Sequence, residues 1–135
     1  MTFLKRWKKN WELKSLSFDE LFAVIIDVVT KQLDEVEKTS IKLDGNLVDE
    51  YEADSVDVVA MLLYLEEIFK NASSTTRTVV PTDKVGQIIF VEDIVDIMYE
   101  VLLDIETKMD PFVKIQANLT PLENQKKVGE LYPEK

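Results

Sequence analysis

In three segments of the chain, apolar residues recur at the spacing of an amphipathic helix. This periodicity restricts the fold more than any other feature of the sequence. The first segment covers about residues 18–33 and follows a capping box, with Ser17 as the N-cap and Glu20 three residues later. The second covers residues 55–69, and the last covers about residues 91–103. Apolar residues at i, i+3, i+4 and i+7 predict one buried stripe on each helix.

The second helix carries two apolar stripes on different faces. A helix needs only one stripe to join a core, so the other stripe is either buried against a further element or left for a partner. The stripe assigned to the core consists of Val58, Met61, Leu62, Leu65 and Phe69. The second stripe consists of Val56, Val59 and Leu63.

The sequence between these helices predicts their connections. Residues 34–53 lose the helical periodicity and are expected to form a long first loop with a turn at Gly45-Asn46. A short helical turn is expected at about residues 83–85. Three main helices and one short helix with a long first loop predict an all-α fold, a small four-helix bundle. The apolar anchors expected in the long loop are Ile41, Leu43 and Leu47.

We expect the domain itself to cover residues 17–105. Residues 1–16 are then a basic N-terminal extension, and residues 106–135 are a C-terminal extension that is expected to be irregular, at least from residue 111. The basic, aromatic run at residues 3–11 has two interpretations. It either contacts an anionic surface, or it is a leader that frays or folds back onto the acidic body, and the second interpretation is favoured.

The composition excludes several classes of protein. The chain has no histidine and no cysteine, which excludes Ser-His and Cys-His nucleophile pairs and zinc sites made of thiolates or imidazoles. Its net charge is −10, and residues 15–106 alone carry 21 acidic and 6 basic side chains, so binding to nucleic acid is not expected. No apolar run approaches the roughly 20 residues of a membrane span. We expect a cytoplasmic monomer without a membrane span that attracts basic protein surfaces.

Two stretches of the sequence resemble the acyl carrier proteins. Residues 46–69 contain Asp54-Ser55-Val56 followed by Asp57, which is similar to the Asp-Ser-Leu motif at the start of that family's second helix. Residues 81–98 resemble the family's third and fourth helices without a gap. The resemblance covers about residues 17–103, and the position of the motif between matching helices makes it more specific than three residues alone.

The resemblance implies that Ser55 carries 4'-phosphopantetheine. In the family, a phosphopantetheinyl transferase moves this group from coenzyme A to the serine hydroxyl, and the thiol of the arm then carries acyl groups as thioesters. The start of a helix suits a phosphate because its amides and dipole tolerate an anion. The chain is then a carrier in fatty-acid, lipid or specialised acyl metabolism and not an enzyme. Taken alone, without the flanking match, Ser55 is better read as an ordinary N-cap.

The resemblance also implies a docking role for the second stripe. In the family, the equivalent positions face partner enzymes that load or transfer acyl groups, and acids around them pair with basic docking surfaces. The alternative is a generic solvated acidic face, since exposed ion pairs contribute only about 0–1 kcal/mol each. The residues implied in docking are Asp54, Val56, Asp57, Val59, Leu63, Glu66 and Glu67.

The chain departs from the family's pattern at several positions, which suggests a specialised carrier. Glu52 stands where carriers commonly have glycine, Ala60 replaces a common recognition acid, and the loop between Phe69 and Pro81 is longer than usual. Three alternatives stay open. Two are carriers with other cargo, namely aminoacyl groups such as D-alanine, or polyketides. The third is an unmodified acidic helical adaptor, although an adaptor has no need of the Ser55 hydroxyl.

Overall fold

The computed structural model describes residues 5–70 and 80–108. Within these ranges the chain is all-α without a strand, so the prediction of a small all-α bundle is confirmed. The expected irregular segment at residues 111–135 lies outside the described residues. The α-helices are α1 (Arg6–Lys9), α2 (Phe18–Gln32), α3 (Ser55–Ile68) and α4 (Val91–Lys108), with 3-10 helices at Lys38–Ser40 and Thr82–Gln87.

Helix α2 begins at the capping box that the sequence predicts. The Glu20 amide donates a hydrogen bond to Ser17 Oγ at 3.1 Å, and the Ser17 amide donates to a Glu20 carboxylate oxygen at 2.9 Å. On its buried face α2 carries one carboxylate, Asp27, which pairs with Lys38 in the first 3-10 helix. This pair fastens the beginning of the long first loop to α2.

Helices α3 and α4 bury the stripes that the sequence assigns to the core. The five residues of the core stripe on α3 are each at most 4% exposed. Helix α4 continues to Lys108 instead of ending near residue 103. Its Glu106 carboxylate accepts hydrogen bonds from the backbone amides of Lys14 and Ser15, both at 2.8 Å, and these bonds stabilise the extra turn.

The N-terminal residues fold back onto the acidic body, which is one arrangement expected for them. Trp7 is buried, and its ring stacks on Phe18 with centroids 5.5 Å apart. The Trp11 ring lies 4.7 Å from that of Tyr99, whose hydroxyl accepts a hydrogen bond from the Glu12 amide at 3.0 Å. Residues 5–16 therefore share the core of the bundle, while the proposed domain boundaries stay predictions.

The long first loop is ordered by Tyr51. Its buried ring places the hydroxyl between two backbone groups, donating to the Ser40 carbonyl at 2.8 Å and accepting from the Lys42 amide at 3.1 Å. Gly45 is required below this ring, because a Cβ at that position would lie 2.7 Å from Tyr51 Cε2. The loop is also anchored by Ile41 and Leu47, which are buried, and by the partly buried Leu43.

The described helices include none with the length and apolar character that crossing a bilayer requires.

Candidate functional site

Ser55 is the first residue of α3, and Asp54 is the residue that caps the helix. The reading of Ser55 as an N-cap is therefore wrong. Both aspartate and serine are good capping residues, so the sequence alone does not decide between adjacent candidates. The consequence is that the Ser55 hydroxyl is not used to begin the helix.

The start of α3 is fixed by a capping box of two aspartates. The Asp57 amide donates to Asp54 Oδ1 at 2.8 Å, and the Asp54 amide donates to Asp57 Oδ2 at 3.0 Å. The second oxygen of Asp57 accepts a hydrogen bond from Gln32 Nε2, at the end of α2, at 2.9 Å. This bond from Gln32, followed by the bond from the Asp54 amide, lowers the pKa of Asp57 below its ordinary value.

Gln32 is a site residue that sequence reasoning missed. Its amide joins the end of α2 to the first turn of α3 and so holds the backbone around Ser55 in place. The one signal in the sequence is a polar residue with hydrogen-bonding capacity that ends an apolar stripe. Such a residue has many possible partners, and only the packing of α2 against α3 selects Asp57.

The Ser55 side chain is exposed, and the described part of the chain offers its hydroxyl no hydrogen bond. The amides of Ser55 and Val56 are likewise unbonded there, because the capping box engages only those of Asp54 and Asp57. The first amides of a helix carry partial positive charge and favour an anion. A free hydroxyl and two free amides therefore lie together at the positive end of α3.

The second stripe of α3 lies largely on the solvent-exposed face of the helix. Val56 is 72% exposed and Leu63 is 50% exposed, whereas Val59 is partly buried. Helix α3 therefore has one face that is buried in the core and another face that carries exposed aliphatic side chains. Of the two arrangements expected for this stripe, the structure has the solvent-facing one, which leaves it free for a partner.

The acids expected to surround this stripe differ in their environments. Asp54 and Glu67 are exposed, and Glu67 pairs with Lys70 at 2.5 Å on the helix surface. Glu66 is partly buried and accepts a hydrogen bond from the Val80 amide at 2.9 Å, so it also supports the chain that leads to α4. The docking role of these acids stays a prediction, with Glu66 and Asp57 also serving the fold.

Glu52, three residues before Ser55, adopts a left-handed backbone with φ of 59°. Among the described non-glycine residues it is the one with positive φ. Glycine adopts this conformation without strain, and a residue with a Cβ does not. The geometry thus explains why glycine would be suitable where this chain has glutamate.

The titratable groups do not form a second candidate site within the described ranges. The described residues contain no group of three or more carboxylates arranged to hold a metal ion. Comparison with known proteins finds no matching family model, no matching curated protein and no matching solved structure.

Proposed function

We propose that this chain is a carrier protein that bears 4'-phosphopantetheine on Ser55 and passes thioester-bound acyl intermediates between enzymes. One observation carries the proposal. Ser55 stands in the Asp-Ser-hydrophobic motif at a helix start, yet its side chain is exposed and its hydroxyl makes no hydrogen bond to the described residues. A serine with an exposed hydroxyl of this kind can be modified without the loss of a hydrogen bond to the described residues.

The residues present fit the phosphodiester of this group. The Ser55 oxygen would hold it, and the amides of Ser55 and Val56 would face an anion at the positive end of α3. The neighbouring carboxylates of Asp54 and Asp57 each accept a backbone hydrogen bond, which offsets part of their repulsion of a phosphate. When attached, the group supplies a thiol that carries acyl groups.

The proposed attachment needs a separate enzyme to supply the chemistry. The chain has no histidine or cysteine to activate the hydroxyl. A transferase that uses coenzyme A would therefore provide the base, and the carrier would provide only position and docking. We place both in the cytoplasm, and we expect the carrier to act as a monomer.

The exposed stripe on α3 supports transient docking of partner enzymes. Val56 and Leu63 offer apolar contact, and the acids around them attract basic surfaces. Electrostatic attraction of this kind mainly accelerates association, while a small apolar contact allows rapid release. A carrier that visits several enzymes in turn needs both properties.

The test is modification of the purified apo-protein by a broad-specificity phosphopantetheinyl transferase with coenzyme A, followed by intact mass. The wild type should gain one phosphopantetheine, and Ser55→Ala should gain none. Ser40→Ala, which changes another exposed serine, is the matched control and should be modified like the wild type. Circular dichroism should show Ser55→Ala to be folded, since the lost hydroxyl makes no hydrogen bond to the described residues.

Two results would contradict the proposal. One is modification of Ser55→Ala at the wild-type level. The other is a folded wild type that an active transferase leaves unchanged, which would instead favour the acidic adaptor.

The cargo is tested separately from the attachment. We propose an acyl group of fatty-acid, lipid or specialised acyl metabolism, and intact mass of the carrier isolated from its native cells identifies it. An adduct with the mass of an aminoacyl thioester, or of a polyketide, would replace this part of the proposal and leave the carrier function unchanged.

A further inference from the structure

A second set of exposed apolar side chains lies outside α3. It consists of Val48 in the long first loop and of Ile89 and Phe90, which directly precede α4, and we name these three residues the loop patch. Their exposures are 57%, 49% and 39%, respectively. Exposed apolar residues that cluster in this way indicate an interaction surface more often than isolated ones do.

The two parts of the loop patch are held together by backbone contacts. The Leu47 amide donates to the Ile89 carbonyl at 2.9 Å, and Asn46 and Phe90 form an antiparallel bridge. The Asp93 carboxylate accepts hydrogen bonds from the amides of both Ile89 and Phe90, at 2.9 and 2.8 Å. The patch is therefore a rigid part of the fold.

The same contacts connect the loop patch to Ser55. The Ala53 amide donates to the Leu47 carbonyl at 2.9 Å, and Ala53 is two residues before Ser55. Two backbone steps and one hydrogen-bonded contact limit the Cα separation of Leu47 and Ser55 to about 14 Å. A standard interface covers about 800 Å² on each partner, equivalent to a disc of about 16 Å radius. The Leu47–Ile89 hydrogen bond adds at most about 7 Å, so Ile89 lies within about 21 Å of Ser55. A disc of this size is about 32 Å across, so one interface can include both Ser55 and the loop patch.

The charges near the loop patch indicate what kind of surface fits it. Asp44, Asp49 and Glu52 are exposed, and none of them pairs with a cation in the described residues. Glu92 and Asp93, by contrast, are already neutralised by Lys8 at 2.7 Å and Lys5 at 2.9 Å. The unpaired charge next to the apolar residues is acidic, so the complementary surface has an apolar centre bordered by lysine or arginine.

We propose that the enzyme that modifies Ser55 docks on the loop patch as well as on α3. This inference rests on the proposed function, because it identifies part of the surface that the transferase recognises. The transferase must enclose the Ser55 hydroxyl and coenzyme A together, and it therefore covers the surface nearest to the start of α3. Val48, Ile89 and Phe90 supply the apolar contact, and Asp49 and its neighbours supply the charge.

The variant Ile89→Thr/Phe90→Ser removes the apolar contact with little effect on the fold. Both side chains are exposed, and the backbone amides that bond to Asp93 are kept. A serine directly before α4 is also a good capping residue. The control is Val101→Thr, ten residues after Val91 in α4, which corresponds to about 15 Å. Because Val101 is partly buried against the core, circular dichroism must first show that this control is folded.

The experiment measures kcat and KM of the transferase with each variant as the acceptor. Ile89→Thr/Phe90→Ser should lower kcat/KM at least about tenfold through KM, with kcat changed much less, while Val101→Thr should match the wild type. Asp49→Lys, which reverses an exposed and unpaired charge, should lower kcat/KM in the same way even if the double variant does not fold. The effect of Asp49→Lys should also shrink at high salt.

Wild-type kcat/KM for the folded double variant, or for Asp49→Lys at low salt, would overturn the inference while the proposed function stands. If the transferase does not modify the wild type, the proposed function itself is contradicted. Modification of the wild type is therefore measured before the variants are compared.

Discussion

The backbone of Glu52 is left-handed, so a glycine at this position is expected to stabilise the protein, whereas glycine substitutions usually destabilise. Replacing Glu52 with glycine should raise the free energy of unfolding. The φ of 59° costs a residue with a Cβ about 1–2 kcal/mol, and glycine does not bear this cost. Glycine instead loses about 0.5–1 kcal/mol because its unfolded chain is more flexible. The expected net gain is about 0.5–1 kcal/mol, or about 2–5 °C in Tm for a domain of this size.

Urea and thermal unfolding followed by circular dichroism measure this gain, and two controls separate its causes. Glu52→Ala removes the same charge but keeps a Cβ in the left-handed region, so it should unfold like the wild type. Glu37→Gly places glycine at another exposed loop position, where φ is −84°, and should destabilise by about 0.5–1 kcal/mol. The reasoning is refuted if Glu52→Gly destabilises the protein as much as Glu37→Gly does.

Two further predictions concern other residues of the fold. Gly45→Ala should destabilise the protein by about 1–3 kcal/mol in urea unfolding, because the added methyl group displaces the buried ring of Tyr51. Gly86→Ala is the control and should be neutral or slightly stabilising, because no atom lies within 4 Å of the added Cβ. Equal effects of the two substitutions would contradict the packing argument. Burial raises the pKa of Asp93, but hydrogen bonds from two amides and the Lys5 ammonium outweigh it, so the pKa lies below its ordinary value. A lowered pKa contributes stability above the unfolded pKa of about 3.9 and loses it as pH falls through the folded pKa. Asp93→Asn should therefore cost about 1–3 kcal/mol at neutral pH, and the difference from the wild type should shrink below about pH 4; a difference independent of pH would argue against the ionised contact.

The parts of the fold that depend on local sequence could be predicted. The capping box at Ser17 and the apolar stripe of α3 follow rules that operate within one helix, and both are present in the structure. The sequence also predicts that α3 begins at Ser55, and the helix begins there in the structure. These features need no knowledge of what lies opposite, which is why the periodicity alone identifies them.

The parts that depend on distant contacts could not be predicted. The length of α4 depends on Glu106 meeting the amides of Lys14 and Ser15, more than ninety residues away. The link from Gln32 to Asp57 depends on the packing of α2 against α3. Similarly, the two parts of the loop patch are brought together by the bridge between Asn46 and Phe90, and no local pattern indicates that bridge.

The closure of the core by residues 5–16 also sets an order of events during synthesis. The Glu12 amide bonds to Tyr99, which is made 87 residues later. At about 5–20 residues per second, the ribosome therefore leaves Trp11 without the Tyr99 ring for several seconds after Trp11 has been made. Both tryptophans of the chain, Trp7 and Trp11, belong to this segment. Their fluorescence consequently reports when the nascent chain closes, and we expect both to stay accessible to quenchers in chains stalled before Tyr99 and to become protected once α4 has left the ribosome.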